Sequence, residues 1–178
     1  MNSIYELCCD GLEQNLETQF LKHDPLKKKA YICSPYADQD PSIQVENMRR
    51  ARLYMLYAKE HMGYAARAPH AYLPMLLCDC VAAERAMALR FGLELLEQSD
   101  ILLVCGTVMS KGMKGEIVHA AKLGIPILVF DDQLYVKTRK LATQTGASKR
   151  LVRRCWGHNI LGLGADLIVP DEGGGGHA

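Results

Sequence analysis

ILLVCGTVMSKGMKGEIVHAAKLGIPILVF, residues 101–130, decides the fold. It opens on Ile101–Cys105, a continuous apolar run of the kind a strand shows when it is buried on both faces. A glycine-bearing loop follows, then a short helix expected from about Gly115 to Leu123 and closed by Gly124. Ile125–Phe130 reads as a second buried strand. Strand, helix, strand in so short a span means a parallel pair joined by a right-handed crossover.

The same alternation extends towards the N-terminus. Ala30–Ser34 is a first apolar strand, stopped by Pro35. Asp40-Pro41 is a cap followed by proline at the first helical position. The helix it opens carries Val45, Met48, Arg52, Met55 and Met62 at helical spacing and ends at Gly63. Tyr64–Ala68 reads as a second strand, and APHAYLP (68–74) as an ordered loop. Val81–Gln98 reads as a helix. These elements predict a single α/β domain, flavodoxin-like or Rossmann-like, with a doubly wound parallel sheet of about five strands.

The flanks are plainer. Residues 1–22 read as an amphipathic helix, with Ile4, Leu7, Leu12, Leu16 and Phe20 on one stripe. Residues 134–156 are basic and read as a solvated helix and turn. Ala165–Val169 is a candidate last strand, and Gly173–Gly176 a flexible tail. The expected division is an N-terminal helical extension (1–29), the α/β domain (30–170) and a tail (171–178).

Composition excludes several classes. The chain has 178 residues, 49% hydrophobic and 23% charged, with a formal net charge of +1. Nothing in that balance points to nucleic acid or an anionic membrane. No apolar run approaches the ~20 residues of a membrane span. The N-terminus carries acids and lacks a signal peptide's basic start and apolar stretch. There are seven cysteines with no framework spacing, and Cys78 and Cys80 are too close in sequence to form a useful pair. Reduced thiols and a cytoplasmic location follow. No ligand cluster implies a metal, and no redox cofactor is expected.

Topology alone names a site. A doubly wound sheet binds ligands at the carboxyl ends of its strands, where strand order reverses. The first and third strands end at Ser34 and Cys105, followed by the loops SPYADQD and GTVMSKGMKG. Gly112 and Gly115 allow close backbone approach, and the helix start offers unpaired N–H groups. Glu116, placed in that first turn, is expected to be held ionised by the helix dipole. That suits a nucleophile better than a proton donor. The ordinary alternative is a first-turn acid with no chemistry, and spacing alone favours it.

The segment Ser110-Lys111-Gly112-Met113-Lys114-Gly115-Glu116, with IVHAAKLGIP after it, resembles the active-site segment of the nucleoside 2-deoxyribosyltransferases. It is also similar to that of the deoxynucleoside 5′-monophosphate N-glycosidases. The strand Tyr31–Ser34 is similar to the families' opening strand. APHAYLP and the helix from Glu84-Arg85 resemble an uncharacterised branch of the superfamily found in bacteria and their phages. The resemblance spans roughly residues 30–131. It implies that Glu116 attacks the anomeric carbon of a 2-deoxyribose, by the logic of a retaining glycosidase.

It also implies roles for neighbours. Ser110 stands six residues before Glu116, where the transferases carry an aspartate and the monophosphate glycosidases a serine. A serine donates to a phosphate that an aspartate repels. Ser110, Gly112 and Met113 are therefore expected to hold the 5′ end, with Tyr31, Ser34 and Tyr36 along the sugar. Two departures stand out. Gly92 occupies the place of the families' aspartate, and SPYADQD lacks the Gly-rich, Arg-bearing turn of the phosphate-binding glycosidases. Arg85 lies one heptad before Gly92 on the same helical face, with Glu84 beside it. Asp38 faces the same end of the sheet, Asn47, Arg50 and Tyr54 lie on the following helix, and His70 and Tyr72 sit where they can cover a base.

Three readings follow. The first is cleavage or transfer at the N-glycosidic bond of a deoxynucleoside or its monophosphate. The second is a nucleotide-binding or NAD-derived-ligand module without turnover. The third is an oligomeric scaffold. A homodimer or larger assembly is expected, with residues 1–22 and 134–156 as candidate contacts. Nucleic acid and membrane are not expected partners.

Overall fold

The computed structural model describes residues 27–78 and 80–155. The expected helix 1–22, the strand 165–169 and the tail lie outside the described residues.

In chain order the elements are β1 (Lys29–Cys33), α1 (Pro41–Met62), β2 (Ala65–Arg67), α2 (Ala82–Glu97), β3 (Ile101–Val104), α3 (Lys111–Leu123), β4 (Ile127–Val129), α4 (Asp132–Gln144) and β5 (Val152–Arg154). The loop 68–74 forms two short 3₁₀ turns, Pro69–Ala71 and Leu73–Met75. Among the described residues the sheet has five strands in the order β2-β1-β3-β4-β5, all parallel. This is the doubly wound flavodoxin-like arrangement that the sequence predicts.

The sequence explains most boundaries. Asp40 caps α1 by accepting from Ser42 N–H at 2.8 Å, with Pro41 as first helical residue. Gly63 and Gly124 end α1 and α3 in the left-handed conformation, each at φ 72°. Strand alternation then splits the core. Tyr31, Cys33, Leu102 and Val104 face α2, α3 and α4, whereas Ala30, Ile32, Leu103 and Cys105 face α1.

Four expectations need correction. The buried stripe of α1 is Ala51, Tyr54, Met55 and Ala58, and Val45 is exposed. The two alanines let the helix lie close on the sheet, which a reading weighted to bulky side chains overlooks. The fifth strand is Val152–Arg154, inside the stretch read as helix and turn. Its side chains are mostly charged because a strand last among the described ones needs only one buried anchor, here Val152. Helix α3 starts at Lys111, four residues before its expected start. Cys78 and Cys80, expected as unpaired reduced thiols, are joined by a disulfide, their Cα atoms 5.3 Å apart and within ordinary disulfide reach.

Helix α2 covers the sheet sparsely. Only Gly92 and Leu96 are buried, and Met87, Leu89 and Phe91 are exposed. Among the described residues no helix is long and apolar enough to cross a membrane.

Gly106, directly after β3, fixes how the two switch-point loops meet. Its φ is 91°, a region side chains avoid, and a Cβ built there meets Pro35 Cδ at 3.0 Å. The proline ring is rigid and cannot yield. Gly106→Ala is therefore expected to destabilise the fold by about 1–3 kcal/mol, read as a lower urea midpoint.

Candidate functional site

β1 lies between β2 and β3, so strand order reverses where β1 and β3 end. Cys33 pairs with Val104 in register, and Cys105 N–H donates to Cys33 C=O at 2.9 Å. The loops after the two strands therefore leave the sheet side by side. α3 starts from the second loop and lays its inward face over β1.

Ser110 caps α3. Its Oγ accepts from Met113 N–H at 3.2 Å, while Ser110 N–H points to the Met113 sulfur at 3.5 Å. Ser110 Oγ keeps its own hydrogen free to donate. Gly112 is exposed in the first turn, where helix geometry leaves the N–H groups of Lys111 and Gly112 without helical acceptors. Met113 does not share that role. Its N–H is taken by Ser110, and its side chain is buried in the core.

Glu116 sits one turn further, on the face turned to the sheet. Tyr31 Oη donates to Glu116 Oε1 at 2.8 Å. The Cys33 thiol, two residues along on the same strand face, donates to Met113 C=O at 3.9 Å and lies near the same carboxylate. Burial pushes the Glu116 carboxyl up to about 7, and the neighbouring Cys33 thiol and the Tyr31 hydroxyl limit the rise. The expected depression by the helix dipole is overturned. Because α3 begins at Lys111, Glu116 lies beyond the first turn in which the dipole acts, and desolvation decides. Tyr31 is held as the neutral phenol, by burial first and by Glu116 second.

A second pair stands at the end of β1. Ser34, buried, and His70 share a hydrogen bond of 2.8 Å between Oγ and Nε2. Burial lowers the imidazole to about 4, so it is neutral at physiological pH. The Tyr36 ring lies 6.5 Å from the His70 ring, tilted by 43°. The surrounding loops are tied down: Asn47 donates to Tyr36 C=O at 3.1 Å, and Arg52 to Ala71 C=O at 3.2 Å.

Asp38 is exposed and its carboxylate accepts from Asp40 N–H at 3.0 Å, which shapes the start of α1. Glu84 accepts from Cys78 N–H at 2.6 Å and holds the preceding turn. Arg85 is exposed near the start of α2, on the helical face of Gly92. Arg50 pairs with Glu46 on the outer surface of α1. Tyr54 is buried in the core, and Tyr72 is partly exposed.

Sequence reading missed two participants. Cys33 reads as a small core hydrophobe, yet its alternation with Tyr31 puts it beside Glu116. Gly92 reads as a lost aspartate, yet a Cβ built on it meets Tyr31 Oη at 3.3 Å.

What the arrangement offers is a desolvated carboxylate that titrates near neutrality, a phenol donor on it, a capped helix start and a neutral Ser–His pair. No curated protein sequence matches the chain. Residues 28–130, running from the start of β1 to the end of β4 and containing both loops and Glu116, match a domain of unknown function, DUF7768, and the chain belongs to that family.

Proposed function

We propose that this protein cleaves or transfers at the N-glycosidic bond of a deoxynucleoside or deoxynucleoside 5′-monophosphate, with Glu116 as nucleophile. The observation that carries the reading is the Tyr31–Glu116 pair between β1 and α3, the strand and helix that flank the switch point. The resemblance of residues 110–126 to the deoxyribosyltransferase active-site segment supplies the reaction class.

The chemistry follows from the groups present. Ionised Glu116 attacks the anomeric carbon, an oxygen–carbon bond forms, and the carbon–nitrogen bond breaks. The base leaves with the bonding electrons and takes a proton from solvent. Water then displaces the carboxylate and gives the free sugar, or a second base does so and gives transfer. Tyr31 orients the carboxylate while leaving its other oxygen to react. Ser110 Oγ and the N–H groups of Lys111 and Gly112 suit a 5′-phosphate. Neutral His70 and Tyr36, their rings tilted by 43°, offer aromatic surface to the base.

Only the ionised carboxylate attacks. kcat/KM is therefore expected to rise about tenfold per pH unit below 7 and level off above it. A profile flat from pH 5 to 8 contradicts the assignment.

A second reading is a nucleotide-binding module without turnover, and Gly92 in place of an aspartate favours it. A thermal-shift screen with nucleosides, deoxynucleoside monophosphates, NAD and ADP-ribose, each mixture then assayed for free base, separates the two. Saturation at a hundred times Kd adds about 2.7 kcal/mol of stability. A shift with base release supports the enzyme. A shift without release, even with a second base added, supports the module. No shift defeats both. The enzyme reading carries a homo-oligomer with it, and a chromatographic mass equal to the monomer counts against that part.

A further inference from the structure

We infer that Gly92 is a positioning residue: its bare backbone keeps open the space in which the Tyr31 hydroxyl stands to donate to Glu116. The inference rests on the reading of Glu116 as the reacting carboxylate, but its geometry does not.

Tyr31 projects from β1 towards the side of the sheet covered by α2 and α3. Its ring is 1% exposed, so it has no free direction in which to swing. Its hydroxyl has α3 at one hand, through Glu116 at 2.8 Å, and α2 at the other, through Gly92. A Cβ on residue 92 meets that hydroxyl at 3.3 Å, closer than ordinary van der Waals contact. Alanine at 92 presses the hydroxyl, and a branched side chain takes its place. The glycine has no conformational reason to be there, since residue 92 lies in the middle of α2, where glycine costs about 1 kcal/mol relative to alanine. A helix that carries this cost at the point nearest a functional hydroxyl is explained by clearance.

The charged and titratable surroundings of Glu116 are few. β1 presents Tyr31 and Cys33. α2 presents the bare Gly92, with Arg85 two turns earlier on the same face. On α3 the next titratable group is His119, partly exposed, which bonds Glu97 of α2 at 2.9 Å on the surface. Tyr31 is thus the one donor whose position residue 92 controls directly.

The test is the titration of the Glu116 carboxyl carbon, followed by ¹³C NMR in the full chain without substrate. It is run for Gly92→Ala and Gly92→Val in the Tyr31 and the Tyr31→Phe backgrounds, with thermal unfolding as the check on folding. Tyr31→Phe and Gly92→Val are each expected to raise the midpoint by roughly half a pH unit or more, because a donor to the charged form is lost. Gly92→Ala is expected to move it measurably. In the Tyr31→Phe background neither change at 92 moves it further, since no hydroxyl remains to displace. Should Gly92→Val fail to fold, the alanine pair carries the same comparison. Equal shifts in both backgrounds overturn the inference, as does an unmoved midpoint in a folded Gly92 variant or in Tyr31→Phe. Because no substrate is involved, a failed glycosidase assay leaves this result standing, and the reverse holds too.

Discussion

Glu116→Gln is expected to abolish release of free base while leaving ligand binding close to wild type. Glutamine keeps the size of the side chain and an oxygen that accepts from Tyr31 Oη, so the 2.8 Å contact survives. What it lacks is the charge and lone-pair reactivity that form the bond to the anomeric carbon. Loss of a covalent nucleophile costs on the order of 10⁴-fold or more in kcat. The Ser110 cap, the Lys111 and Gly112 N–H groups and the Ser34–His70 pair are untouched, so the binding constant holds. A quantitative base-release assay paired with a thermal-shift titration of the same variant checks both halves. Glu116→Gln that still turns over at a tenth of the wild-type rate removes Glu116 from the mechanism. Loss of binding together with activity makes the carboxylate a ligand anchor instead.

The contrast between fold and site shows what sequence carries. β1, β3, α1 and the crossover through α3 are legible because apolar runs, the Asp40-Pro41 start and the Gly63 and Gly124 stops are local signals. β5 is not legible, because Val152-Arg153-Arg154 has a single apolar residue and owes its strand to β4 alongside. The switch point follows from strand order, so the neighbourhood of Ser34 and Gly106 was predictable without any motif. The pairings within it are long-range: Tyr31 meets Glu116 across 85 residues and Ser34 meets His70 across 36. Ser34 is legible from its place at the strand end, and Tyr31 from the resemblance of the opening strand. Their partners on that strand's far contacts depend on packing that no spacing rule encodes. The misplaced start of α3 shows how a boundary error becomes a chemical one. Four residues moved Glu116 out of the first turn and reversed the direction of its titration.

That reversal has a consequence for stability that the wild-type protein conceals. The Glu116 carboxyl is raised from 4.5 to about 7, so folding disfavours its charged form. The penalty is absent below pH 4.5, grows as pH rises, and is complete above 7. The His70 imidazole is lowered from 6.5 to about 4, so folding disfavours its charged form too. Its penalty is absent above 6.5 and grows as pH falls towards 4. Between pH 4.5 and 6.5 one penalty rises as the other falls, each by at most about 1.4 kcal/mol per unit. These two contributions therefore cancel, and stability is expected to show little net dependence on them across that window. The single variants unmask each one. Glu116→Gln leaves the histidine alone, and its stability relative to wild type is expected to rise by about 2 kcal/mol from pH 4.5 to 6.5. His70→Gln leaves the carboxyl alone, and its stability relative to wild type is expected to fall by about as much. Glu46 and Asp40, both lowered by hydrogen bonding on the surface, are common to all three chains and drop out of the differences. Urea midpoints at pH 4.5, 5.5 and 6.5 are sufficient. Opposite slopes establish that both groups are desolvated in the folded state. Difference curves that are flat for both variants show that neither is, and with that the neutral titration of Glu116, on which its role as a nucleophile poised near pH 7 depends, is lost.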